Sequence, residues 1–251
     1  MISAGIDIGS RTIKLVLLEN GTLTHTATTD TGFQPMTRAR EILATSGMTP
    51  HRLTATGYGR TLFEQQMEAD TVTEIKACAA GTFHLYPEVS TILDIGGQDV
   101  KVIRVGKKGR VVKFEMNDRC AAGTGKFLEI MSDNLGFSPS TFGDAALSAE
   151  KTVEVSSMCT VFAESEVTSL LAKGEKPVHI ARGLHESVVR RAASMIRRVG
   201  LDGPLCFVGG VAKNPCIRAL LSDTLNTEVV VPDSPQTVVA LGAALLADDQ
   251  Q

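Results

Sequence analysis

Two cysteines stand where thiolates would be useful. Cys120 lies in Met116-Asn117-Asp118-Arg119-Cys120-Ala121-Ala122-Gly123-Thr124-Gly125. Cys159 lies in Ser156-Ser157-Met158-Cys159-Thr160-Val161-Phe162-Ala163-Glu164-Ser165-Glu166. Each stands just before, or in the first turn of, a predicted helix, and a helix N-terminus favours negative charge. Such a position suits a thiolate and equally an anionic iron–sulfur cluster. Two thiolates are half the ligand set of a 4Fe–4S cluster, and a symmetric dimer would bring four to its two-fold axis. On the residues alone a second reading stays open, two buried thiols at helix starts.

A second chemistry is written in a repeated turn. Gly5-Ile6-Asp7-Ile8-Gly9-Ser10-Arg11-Thr12-Ile13-Lys14 and Leu93-Asp94-Ile95-Gly96-Gly97-Gln98-Asp99-Val100-Lys101 share one design. An apolar strand ends in Asp-Ile-Gly, a polar linker follows, and a lysine sits in the next apolar strand. Glycines admit close backbone approach to a ligand, and the N–H groups of such a turn point at anionic oxygens. Ser10 and Thr12 add hydroxyl donors and Lys14 a cation. Asp7 and Asp94 are candidates to hold Mg²⁺ directly or through water, and Gln98 or Asp99 to orient an attacking water. A late strand-Gly-Gly-helix, Phe207-Val208-Gly209-Gly210-Val211-Ala212-Lys213-Asn214, strengthens the phosphate reading. Neither a P-loop nor a dinucleotide fingerprint is present.

The elements that must position these residues follow from pattern. Asn20-Gly21 predicts a type I′ hairpin joining strands 12–18 and 22–28, and Lys107-Lys108-Gly109 turns the second copy into a strand over 110–116. Helices are predicted over 37–46, 71–85, 125–135, 161–172 and 178–199, and a short one starting at Ser138-Pro139-Ser140. Strands are expected over 204–208 and 229–231. Ser234-Pro235-Gln236 reads as the start of a last helix running through Leu246. Strand groups alternating with helices give an α/β class with mixed sheets. The chain has 251 residues, a net charge of -3 and 43% hydrophobic residues, ample for a core and without the basic excess of a nucleic-acid binder. No apolar run reaches the ~20 residues of a membrane span, and the start lacks a signal-peptide pattern, so the expectation is a cytoplasmic protein.

These segments resemble the actin/hexokinase/Hsp70 ATPase superfamily. The hairpins resemble its two phosphate motifs, Gly209-Gly210 its adenosine motif, and the helix from Gln236 its second connecting helix. The implied fold is an actin-like (ribonuclease H-like) duplicated α/β ATPase fold, with two subdomains of mixed sheets around a nucleotide cleft. The first comprises residues 1–88 plus 237–251 and the second 89–236. Within the superfamily both cysteine motifs, with Thr56-Gly57-Tyr58-Gly59-Arg60 and Asp94 to Lys101, are similar to the 2-hydroxyacyl-CoA dehydratase activators of the BadF/BadG/BcrA/BcrD ATPases. The resemblance covers residues 5–247. It implies a homodimer with one bridging 4Fe–4S cluster on Cys120 and Cys159, and Mg²⁺ and ATP/ADP at Ser10, Arg11, Thr12, Ile13, Lys14, Gly96, Gly97, Gly209, Gly210 and Gln236. The implied function is ATP-dependent one-electron reduction of a partner iron–sulfur dehydratase or reductase, fed by a ferredoxin or flavodoxin. A small-molecule kinase of the same superfamily is the alternative, and a non-enzymatic ATP-switched scaffold a third reading.

The remaining residues have plainer expectations. Cys78 stands where relatives often place histidine and is expected to be a core or near-cleft thiol. Cys206 and Cys216 are expected to be structural. Arg11 is open between a phosphate contact and a solvated side chain. His179 and His185 are expected at the surface. The pairs Arg190-Arg191 and Arg197-Arg198 are expected to form a solvated helix face, with partner docking as the other role.

Overall fold

The computed structural model describes residues 1–157 and 159–248. Met158 of the second cysteine motif lies outside them. In chain order the strands are β1 (Ile2–Ile8), β2 (Thr12–Glu19), β3 (Thr22–Asp30), β4 (Arg52–Thr56), β5 (Asp70–Thr71), β6 (Thr91–Ile95), β7 (Val100–Val105), β8 (Val111–Asn117), β9 (Leu205–Val208) and β10 (Val229–Val230). The helices are α1 (Pro35–Thr45), α2 (Arg60–Glu64), α3 (Glu74–Leu85), α4 (Gly125–Asn134), α5 (Phe142–Leu147), α6 (Thr160–Ala172), α7 (Pro177–Val199), α8 (Pro215–Leu225) and α9 (Val238–Asp248). The chain forms two compact units, Met1–Val89 with Val105–Lys113 and Pro232–Gln251, and Ser90–Arg104 with Phe114–Val231.

The first unit holds a sheet ordered β3-β2-β1-β4-β5. Asn20 and Gly21 take φ of 50° and 78°, the two left-handed residues that a type I′ turn demands. The core packs Ile6, Ile8, Ile13, Leu15 and Leu17 against Met36, Ile42 and Phe63. On the other face α9 lies so close that a Cβ at Gly5 would sit 2.0 Å from Ala240 O. Where α9 crosses α3, a Cβ at Gly242 would sit 1.8 Å from Ala77 O. Gly242 and Gly81, where a Cβ would sit 2.1 Å from Val238 O, thus set that crossing. Cys78 is fully buried here, a core thiol as expected.

The second unit holds a sheet ordered β10-β9-β6-β7-β8. Its core joins Leu93, Ile95 and Val102 to Phe127, Met131, Ile180, Leu184, Ile196, Phe207 and Leu221. Cys206 and Cys216 are buried in it, and burial pushes the Cys216 thiol up to about 11, so it stays protonated and inert.

The short helix expected from Ser138 starts instead at Phe142, and three further expectations change. The helix predicted over 71–85 starts at Glu74, because Thr73 Oγ1 accepts from Lys76 N at 3.3 Å as an N-cap and Asp70–Thr71 pairs with β4. The last helix starts at Val238 rather than at Gln236, after a turn closed by Thr237 N donating to Ser234 O. His179 and His185 are 4% and 0% exposed, not at the surface. α7 is wrapped by α4, α5, α6 and α8, so polar positions on it fall inside. His185 keeps its ring satisfied there: Nδ1 donates to Ala181 O at 2.7 Å and Nε2 accepts from Asn214 Nδ2 at 2.9 Å. Among the described residues no helix is long and apolar enough to cross a membrane.

Candidate functional site

In the first unit, Asp7 sits at the end of β1 directly opposite Lys14 of β2. Lys14 Nζ lies 2.9 Å from Asp7 Oδ2, and the carboxylate is almost fully buried. The other oxygen, Oδ1, is buried with no hydrogen-bond partner. A buried carboxylate oxygen without a partner is costly, and it suits a cation or its water shell. Gly9 N closes the turn onto Thr12 O. Ser10 and Arg11 are exposed at its tip, whereas the Ile13 side chain belongs to the core, leaving its backbone for any ligand contact.

The second unit repeats the arrangement. Asp94 at the end of β6 faces Lys101 of β7. Lys101, 1% exposed, places Nζ 3.5 Å from Asp94 Oδ2 and 2.7 Å from Asp99 Oδ2. Its role as the bridge between two candidate carboxylates was not read from the sequence, although its place in the duplicated strand was the signal. Gln98 is exposed and Asp99 half-buried. Burying one cation beside two carboxylates is tolerable only where the charges offset one another.

The duplication extends to the parallel neighbour strand. β4 pairs with β1 through Thr56 and Asp7, and β9 pairs with β6 through Val208 and Asp94. The next residue in each case is a left-handed glycine, Gly57 at φ 85° and Gly209 at φ 87°. A Cβ on Gly57 would lie 2.5 Å from Asp7 Oδ1 and 2.7 Å from Ile8 O; on Gly209 it would lie 2.4 Å from both Asp94 Oδ1 and Ile95 O. Each aspartate therefore needs bare backbone against it. Gly57 is a residue that the phosphate reading missed, and the Gly57-Tyr58-Gly59 spacing was its only signal. Gly210 opens a 3₁₀ turn to Lys213, and Asn214 then caps α8 by accepting from Ile217 N. His185 holds the same Asn214 amide from behind, so a buried neutral imidazole supports the late glycine loop. Gln236 lies half-buried in the turn before α9, in the first unit.

The cysteine loops lie in the second unit, and both thiols are free and exposed. After Cys120 the chain turns at Gly123, φ 89°, and Thr124 bonds back to Ala121 O through both N and Oγ1. The following helix then meets the phosphate-type turn: Gly125 N donates to Gly96 O at 2.9 Å and Lys126 N to Gly97 O at 2.8 Å. Cys159 is the N-cap residue of α6, its side chain making no capping bond. Glu166, about two turns further on, grips the loop ahead of Cys159, accepting from Ser156 N, Ser156 Oγ and Ser157 N at 2.8–3.1 Å. Partial burial would raise its pKa, but these bonds outweigh it and hold the carboxyl below its usual value. A cavity of about 610 Å³ is lined by Cys120 and Gly123 of one loop and by Ser156 and Ser157 of the other. Among the described residues no group of three or more His, Cys, Asp or Glu is gathered to hold a metal. One chain thus offers two thiols toward a four-thiolate set, a donor set that a second copy would complete.

Comparison with known proteins gives a family and full-length relatives. Residues 4–247 match the BadF/BadG/BcrA/BcrD ATPase family. The chain is 40% identical to the 2-hydroxyisocaproyl-CoA dehydratase activator of Clostridioides difficile, over all of this chain and 96% of that one. The solved structure of the Clostridium difficile activator with bound ADPNP superposes with a TM-score of 0.92 at 39% identity, covering 100% and 95% of the two chains. A ROK family glucokinase from Streptomyces griseus, covered 99% both ways, gives 0.65 at 12% identity. That last likeness shows the fold alone, which is the actin-like duplicated α/β fold expected from the paired hairpins.

Proposed function

The chain belongs to the BadF/BadG/BcrA/BcrD ATPase family, and on that premise we propose that it is an ATP-dependent electron-transfer activator of a partner iron–sulfur dehydratase or related reductase. One observation carries the reading. The helix that follows the Cys120 loop donates two backbone hydrogen bonds to the Gly96–Gly97 turn, so a change at that turn is felt at the thiol loop. Coupling of this kind needs a contiguous packed element, and α4 is one.

The chain's own residues divide the work. Asp7 and Asp94 would hold Mg²⁺ through their buried carboxylates, and the free Oδ1 of Asp7 supports that assignment. Lys14 and Lys101 pair with the two carboxylates and hold them in line. ATP and ADP contacts are assigned to Ser10, Arg11, Thr12, Ile13, Lys14, Gly96, Gly97, Gly209, Gly210 and Gln236, with backbone N–H groups meeting phosphate oxygens. Gln98 and Asp99 are assigned to the attacking water. Cys120 and Cys159 of two copies would hold one 4Fe–4S cluster, which when bound supplies one-electron transfer at low potential. The Glu166 clamp and the Thr124 turn keep the two thiols presented outward. A ferredoxin or flavodoxin is the proposed donor, and a dehydratase or reductase with its own clusters the acceptor.

The test is the rate at which an iron chelator strips anaerobically purified protein with ATP or with ADP bound. A nucleotide-dependent rate is expected. The same rate in both states would contradict the coupling, because nucleotide binding would then leave the cysteine loops unmoved.

A further inference from the structure

One face of α7 carries Ser187, Arg190, Arg191, Ser194 and Arg198, and all five line the cavity at Cys120. Small serines between long arginines leave the space open. The arginines reach both cysteine loops. Arg190 Nη2 donates to Val155 O, four residues before Cys159, at 3.4 Å. The Arg191 Cδ fills the place beside Gly123, lying 3.4 Å from where a Cβ there would sit. Arg198 is committed elsewhere, since Nε and Nη2 both bond the Glu115 carboxylate. The charges lining the cavity are three arginines against Glu115 and Glu154, so the balance is positive. The expectation of a merely solvated face fits Arg197, which does not line the cavity.

We propose that Arg190 and Arg191 are positioning residues that staple the two cysteine loops to one helix and set a positive potential at Cys120, matched to an anionic group held there. The role rests on the cluster reading for its purpose, not for its physics. A positive charge beside a thiol favours attack on anionic reagents, and beside an anionic cluster it raises the reduction potential. Both effects weaken with salt, since the cavity opens to solvent.

The experiment has two arms. In the first, the full chain, purified without iron reconstitution, is alkylated with iodoacetate or iodoacetamide, and modification of Cys120 is read by peptide mass spectrometry. The anionic-to-neutral rate ratio should fall about fivefold in R190Q/R191Q, remain near wild type in R190K/R191K, and fall with added salt in the wild type. Retained ATP affinity shows that the variant is folded. An unchanged ratio in the folded glutamine variant overturns the proposal. In the second arm, the reconstituted single variants R190Q and R191Q should keep their iron while the cluster potential moves negative. An unmoved potential also overturns it. Wild-type protein that takes up no iron would sink the electron-transfer reading, yet the alkylation ratio would still decide the role of the arginines.

Discussion

At the scale of single residues, burial decides which polar groups act and which support. Lys101 and Asp94 are interior, and their charges make sense only as a set with Asp99. His185 is interior and neutral: desolvation first, then the nearby Arg182, outweigh its bond to Ala181 and lower its pKa to about 4. Because the unfolded histidine titrates near 6.5, the unfolded chain binds the extra proton between pH 6.5 and about 4. Stability should therefore fall as pH drops through that window and level off below it, by up to about 3 kcal/mol at 1.36 kcal/mol per pKa unit. Urea midpoints of wild type and H185Q across pH 4–7 check this. The variant should lose the part of the pH dependence that belongs to this ring. An identical pH profile in a folded H185Q would remove the histidine from the account. This histidine could not be read as buried from sequence. Its neighbours along the chain are mixed in polarity, and only the packing of α5 and α8 on both flanks of α7 encloses it.

At the scale of elements, the duplication is the organising fact. The two hairpins were legible because each is local: Asp-Ile-Gly, a short linker and a lysine lie within ten residues in both copies. The matching glycines were half legible. Gly209-Gly210 stood out after an apolar strand, whereas Gly57 follows Arg52-Leu53-Thr54-Ala55-Thr56, a run with too little apolar content to announce a strand. Its kinship with Gly209 exists only in the pairing of β4 with β1 and of β9 with β6, a contact far apart in sequence. Two helix starts moved for local reasons, the Thr73 cap at α3 and the Ser234 turn before α9. A substitution tests the pairing. In G57A the new Cβ meets the Asp7 carboxylate and the Ile8 carbonyl at under 3 Å, and the left-handed backbone alone costs roughly 1–2 kcal/mol. Nucleotide affinity measured by calorimetry should fall at least tenfold in G57A and likewise in G209A. Wild-type affinity in either folded variant would mean that the glycine turns stand apart from the nucleotide.

At the scale of the whole molecule, one chain carries two exposed free thiols on loops that share a cavity, and three cysteines sealed in cores. That division was legible in part. The loop motifs marked Cys120 and Cys159, but the link from the Cys120 loop to the Gly96–Gly97 turn runs through backbone amides that no side-chain pattern encodes. Two thiols per chain require a second copy for a cubane, so a shared cluster fixes the iron-to-chain stoichiometry. The most direct measurement is anaerobic purification followed by iron and sulfide analysis of the wild type and of C120A, with mass measured by light scattering. About four irons and four sulfides per dimer are predicted for the wild type, with the iron lost in C120A while ATP binding persists. Iron-free wild-type protein after reconstitution, or iron retained in C120A, would contradict the shared cluster.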